Sequence, residues 1–172
     1  MLAAQAQAKE QFARLVGGDP GGVSVVPSAA HAVGLAAANV MRAVGGDDGA
    51  EVVILEDHYS NALPWQAAAA RAGAMVVPVR RSWGSVGAED VGAALAAAVG
   101  PRTVAVAAAP VGWTDGSVVD LRPVAAACRR HGAALVLDAT QWVGAAEYDA
   151  AAVGRHCSCP RNHPDALDHL LK

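Results

Sequence analysis

Five short runs, VSVV (23–26), VVIL (52–55), AMVVPV (74–79), TVAVAA (103–108) and ALVL (134–137), are apolar almost throughout. A strand with one face in water alternates apolar and polar side chains, so runs of this kind call for cover on both faces. Between them lie alanine-rich stretches with helical spacing, at 29–43, 61–72, 88–98 and 121–131, after a leading helix at 2–16. Strand and helix in alternation predict an α/β fold: a three-layer α/β/α domain around a mostly parallel sheet. Local chemistry marks the joints. Gly17 to Gly22 forms a stop and turn, Gly45 to Gly49 breaks the next helix, and a turn is expected around Trp83 to Gly87. Ser28 is placed to cap the helix at 29–43, Pro64 falls in the first turn of the helix at 61–72, and Asp120 opens the helix at 121–131.

Composition narrows the function classes. The chain has 172 residues, 53% of them hydrophobic and 17% charged, which fits one domain with a real core and not a disordered linker. Much of the apolar share is alanine, so core stability per residue is modest. A formal net charge of −3 gives no electrostatic reason for nucleic acid or an anionic membrane as partner. Cys128, Cys157 and Cys159 are too few and too clustered for a disulfide framework, which points to a reducing compartment. The leading segment lacks a signal-peptide core and no uncharged apolar run is long enough to span a bilayer. The expected location is cytoplasmic.

In a parallel sheet, ligands sit beyond the carboxyl ends of the strands. Ser28, the 56–61 segment, the 110–116 segment and Asp138 each follow an expected strand directly and are predicted to share one rim. Asp138, in ALVLDATQWVG, reads either as a turn aspartate or as an anion aimed at a protonated ring nitrogen, with the Gln141 amide offered to a neighbouring ring oxygen. His58 is a loop histidine, or one that stacks on a planar ligand or moves protons. Ser28 is a helix cap or, with the N–H groups behind it, a phosphate site. Asn61 reads as a cap of its helix, Trp65 as a residue covering the sheet, and Cys128 as a small buried side chain. Trp113-Thr114-Asp115-Gly116 reads as a tight turn whose Trp closes the loop or lies over a ligand. The end, GRHCSCPRNHPDALDHLLK (154–172), abandons the alternation. It brings His156, Cys157, Cys159 and His163 together, but C-x-C lacks zinc-ligand spacing and no metal is expected.

Taken in order, VSVVPSAAHAVGLAAANV (23–40), VVILEDHYSNALPWQAAAARAGAMVVPV (52–79) and GWTDGSVVDLRPVAAACRRHGAALVLDATQWVGA (112–145) resemble the class V aminotransferase and cysteine desulfurase family. The resemblance covers roughly residues 5–153. It implies an incomplete large domain of a fold type I enzyme dependent on pyridoxal 5′-phosphate (PLP), over residues 1–153, with 154–172 as a divergent tail. It also implies an amino-acid substrate, and association as a homodimer or with a full-length relative. By the same resemblance Asp138 partners the cofactor's ring nitrogen, Gln141 lies near its phenolic oxygen, His58 stacks on the ring, and Ser28 heads the phosphate-binding turn.

The departures carry as much weight. Ala29 and Ala30 stand where the family usually has threonine, Pro110 replaces a polar residue, and Gly112 replaces a histidine. The family's lysine, which links covalently to the cofactor, has no counterpart: the only lysines are Lys9 and Lys172, neither in the matching context. Arginine does not deprotonate to a nucleophile and cannot replace it. The expectation is a truncated, catalytically incomplete chain with no catalytic residue of its own. The alternative is a non-enzymatic fragment that binds a related full-length subunit.

Overall fold

A computed structural model describes residues 2–45, 49–81 and 88–145. The elements are α1 (Leu2–Val16), a 3-10 turn (Pro20–Gly22), α2 (Ala29–Val44), β1 (Glu51–Leu55), α3 (Tyr59–Ala72) and β2 (Met75–Val79), then α4 (Ala88–Ala98), β3 (Thr103–Ala108), α5 (Arg122–His131) and β4 (Ala134–Leu137). The strands form one sheet in the order β2-β1-β3-β4, and every neighbouring pair is parallel.

Successive side chains of a strand point to opposite faces, so each apolar run feeds two cores. Val52, Ile54, Ala105, Ala107, Ala134 and Val136 meet Val33, Ala37 and Val40 of α2 and Trp65 of α3. Val53, Leu55, Val106, Ala108 and Leu135 meet Val91 and Leu95 of α4 and Val124 and Cys128 of α5. This is the three-layer α/β/α arrangement expected. Trp65 has no exposed surface and covers the sheet, and Cys128 is buried. β2 is a blunted edge: Pro78 brings no N–H to the ladder, and the strand is only partly covered.

Two expectations need correction. The run at 23–26 forms no strand: no ladder partner for it lies among the described residues, whose sheet has four strands and not five. Helix α3 begins at Tyr59, not at residue 61, because the His58 carbonyl accepts from both Asn61 N (3.1 Å) and Ala62 N (2.9 Å). Pro64 therefore falls in the second turn, where its missing N–H leaves the Ser60 carbonyl without a helical donor. The turn near 83–87 and the tail at 154–172, with His156, Cys157, Cys159, His163 and Lys172, lie outside the described residues.

Candidate functional site

The direction of α2 decides where Ser28 sits. The end of α2 leads through residues 45–50 into β1, and Gly49 lies beside the Arg102 side chain, just ahead of β3. That is the amino edge of the sheet. A 16-residue helix is about 24 Å long, more than the length of a five-residue strand. Its head, capped by Ser28, accordingly lies at the carboxyl edge. Helix α3 follows β1 and starts at the same edge. Gly34, six residues after Ser28, faces Pro64, six residues after His58; a Cβ on Gly34 would lie 4.0 Å from the Pro64 Cβ. The two helices thus start side by side and level.

At the head of α2, Ser28 Oγ accepts from His31 N at 3.2 Å. The first-turn N–H groups of Ala29 and Ala30 have no acceptor within the helix. Asp138 extends the ladder by donating its N–H to the Ala108 carbonyl at 3.0 Å. Val136 belongs to the α2/α3 core, so Asp138, two residues on, is on the face that carries Ser28. Its Oδ1 accepts from Thr140 N (3.2 Å) and Thr140 Oγ1 (2.5 Å), and no donor to Oδ2 is present among the described residues. Gln141 is exposed on the turn that follows. His58 is half-buried, with Nδ1 bonded to Ser60 Oγ and its ring edge-on to Trp113, centroids 5.5 Å apart at 85°. The topology therefore brings Ser28, His58 and Asp138 to one rim. Asn61 is not the cap expected of it: it is the third residue of α3, fully buried, with no hydrogen-bond partner for its amide among the described residues.

The opposite face of the same rim holds a buried polar chain that the sequence reading missed. Leu55 and Val79 are register partners, so the residues two beyond each, Asp57 and Arg81, stand side by side. Arg81 Nη2 lies 3.3 Å from Asp57 Oδ2, with the two side chains 4% and 1% exposed. Arg81 Nη1 donates to Ser117 Oγ, which donates in turn to Asp115 at 2.7 Å. Burial pushes the Asp57 carboxyl above its ordinary value against the opposing pull of Arg81. The Ser117 N–H and hydroxyl hold Asp115 below its own. Trp113 Nε1 donates to the Asp57 carbonyl at 2.8 Å, on the exposed turn closed by Gly112 N to Ser117 O. The expected turn at 113–116 is present, and Gly116 has a φ of 70°. The signal for this cluster was E-D after one strand and R-R after the next, at equal offsets. It becomes readable only when the two strands are known to pair in register.

Gly112, one of the departures, has a physical reason. A Cβ there would stand 2.4 Å from Asp115 Oδ1 and 3.4 Å from the Arg81 Cζ. Arg81 and Asp115 crowd the space that a larger side chain would need.

The residues present fit part of the cofactor that the resemblance implies. An open carboxylate oxygen on Asp138 suits a ring N–H, and the head of α2 with the Ser28 hydroxyl suits a phosphate. The covalent anchor does not fit. Lys9 is on α1, which packs chiefly on the Pro20–Gly22 turn, and Lys172 lies outside the described residues. No group of three metal-ligating side chains occurs among the described residues, and no helix among them is long and apolar enough to cross a membrane.

Comparisons with known proteins bear on the fold. The C-DES mutant with glycine covalently linked to its PLP cofactor superposes with a TM-score of 0.71 at 24% identity, over 87% of this chain and 39% of that one. The cysteine desulfurase CsdA from Escherichia coli gives 0.76 at 19% identity, over 88% and 38%. The apo cysteine desulfurase from Thermococcus onnurineus NA1 gives 0.71 at 18%, over 85% and 35%. At these identities the likeness establishes the fold, and the chain spans about two fifths of the length of these structures. Among curated proteins no relative is found by sequence. The aminotransferase class-V family profile matches residues 1–156, and the chain belongs to that family.

Proposed function

We propose that this chain is the cofactor-cradling part of a PLP-dependent class-V enzyme acting on an amino acid. On this reading it binds PLP without a covalent anchor and does not turn over substrate by itself. The observation that carries the reading is the convergence of Ser28, His58 and Asp138 at one rim of a class-V fold with no lysine among them. When bound, the cofactor supplies an electron sink for bonds at the amino acid's α-carbon. Asp138 would hold a proton on the ring nitrogen through Oδ2, while its Oδ1 stays fixed by Thr140. Ser28 and the N–H groups of Ala29 and Ala30 would take the phosphate. His58, fixed by Ser60 and Trp113, would form a wall for the ring, and Gln141 would reach the phenolic oxygen from its exposed turn. The lysine to which the resemblance assigns proton transfer at the α-carbon is absent from this set, so that step falls to a group outside it.

The test is to mix purified chain with PLP, reduce with borohydride, and map adducts by mass spectrometry. Binding that survives gel filtration poorly and leaves no stoichiometric lysine adduct is the expected result. A single stoichiometric adduct on Lys172 or Lys9 would overturn the non-covalent reading.

A second reading, a non-enzymatic fragment that binds a related full-length subunit, is favoured by β4. That strand is almost wholly buried and apolar, yet it has one ladder neighbour among the described residues and none of the Pro or charge that blunts an edge. Light scattering with and without such a subunit separates the two.

A further inference from the structure

We propose that Arg81 is a positioning residue: it anchors the 112–117 turn to the end of β1 and so sets Trp113 against His58. The inference deepens the cofactor reading, and rests on it only for what the His58 wall is used for.

Parallel pairing of β1 and β2 puts Asp57 and Arg81 next to each other on the α4/α5 face. Neither side chain reaches solvent, so this pair does not recruit a ligand directly. What the guanidinium does reach is Ser117, 36 residues further along the chain. Ser117 also bonds Asp115 through both its N–H (2.9 Å) and its hydroxyl (2.7 Å). The path Asp57, Arg81, Ser117, Asp115 thus alternates acceptor and donor from the end of β1 to the middle of the turn.

The turn makes a second connection to the same residue. Trp113, 54% exposed, spends its only polar hydrogen on the Asp57 carbonyl. An exposed indole on a loop has little packing to fix it, so its position follows from the turn's two ties to Asp57. His58 is the next residue in sequence, and its ring meets the edge of Trp113. Moving the Arg81 tie therefore moves the Trp113 ring relative to His58, on the other side of the rim from the guanidinium. Gly112 belongs to the device, because a Cβ there would displace the Asp115 carboxylate and press on Arg81.

The test needs no cofactor. In the full chain, the Trp113 indole N–H and the His58 ring protons are assigned by NMR using Trp113→Leu, which removes the aromatic ring and with it the ring-current shift on His58. Arg81→Met should shift the His58 ring protons toward their Trp113→Leu positions and speed exchange of the Trp113 indole N–H. Arg81→Lys should restore part of both. Should Arg81→Met fail to fold, Ser117→Ala cuts the tie on the turn side and Gly112→Ala perturbs it without changing charge. Both should move the same two signals. A folded Arg81→Met, or a folded Ser117→Ala and Gly112→Ala pair, with both signals as in the parent chain would overturn the proposal. PLP titration of the parent chain separately tests the cofactor reading. Its failure would leave the positioning result standing.

Discussion

Replacing Asp57 by Asn removes one charge from a buried pair and leaves Arg81 uncompensated. At 3.3 Å and an effective dielectric of about 20, the attraction lost is on the order of 5 kcal/mol. That gross figure overstates the net worth of the pair, since both charges were taken out of water to form it. Asp57 Oδ1 and Arg81 Nε also have no partner among the described residues. Truncating one member of a buried pair costs about 3–5 kcal/mol, largely as the penalty on the charge left behind. Against a typical domain stability of about 5–15 kcal/mol this is a large fraction. It corresponds to a fall in Tm of roughly 6–20 °C for a chain of this size. The assay is urea and thermal unfolding of the parent chain, Asp57→Asn, Arg81→Met, and the double variant Asp57→Leu/Arg81→Met. The double variant removes both charges with apolar side chains and should recover most of the loss. A single variant costing less than about 1 kcal/mol, the range of an exposed pair, would refute the burial argument. A double variant as damaged as Asp57→Asn would show that the loss is packing and not charge.

Gly92→Ala should destabilise the chain despite the better helix propensity of alanine, worth about 1 kcal/mol. Its Cβ would stand 2.3 Å from the Asp120 carbonyl oxygen and force α4 away from the start of α5. Chemical denaturation gives the sign directly. Asp120 accepts hydrogen bonds from the Arg122 guanidinium and N–H, which hold its carboxyl down at about 2 against an ordinary 3.8. The folded state therefore releases this proton more readily than the unfolded state. The stability it adds is complete above 3.8 and is lost as pH falls toward about 2. Asp120→Asn should lower stability at neutral pH and flatten that part of the acid limb in a pH series of melts. Burial pushes the Cys128 thiol up to about 12, so in a Cys157→Ser/Cys159→Ser background a thiol reagent should label it only on unfolding.

Much of the fold was legible because strand and helix differ in how they spend apolar residues. The runs at 103–108 and 134–137 and the helix at 88–98 have the expected bounds, since each is a single apolar pattern closed by Gly, Pro or charge. The run at 23–26 carries the same pattern without a ladder partner among the described residues: extended, apolar sequence specifies a backbone but not what it pairs with. The start of α3 was misjudged because Asn61 looks like a cap, while the working acceptor is the His58 carbonyl, which any residue supplies. Ser28 and Asp138 were readable from position alone, one before a helix and one after a buried strand. Asp57 and Arg81 were not, because their contact depends on strand order and register, which are tertiary facts. Gly112 was seen as a departure, but its cause, the crowding by Arg81 and Asp115, exists only in three dimensions.

The claim at the centre is that the rim holds PLP through Asp138 without a covalent bond. Titrating the parent chain and Asp138→Asn with PLP by equilibrium dialysis tests it most directly. Asn keeps Oδ1 as an acceptor for Thr140 but removes the charge and replaces Oδ2 with an NH2 that cannot accept from a ring N–H. Saturable, fully dialysable binding that weakens by about 10- to 100-fold in Asp138→Asn, the worth of one charge-assisted hydrogen bond, is the expected result. Saturable binding of equal strength in both chains, or none in the parent, would contradict it.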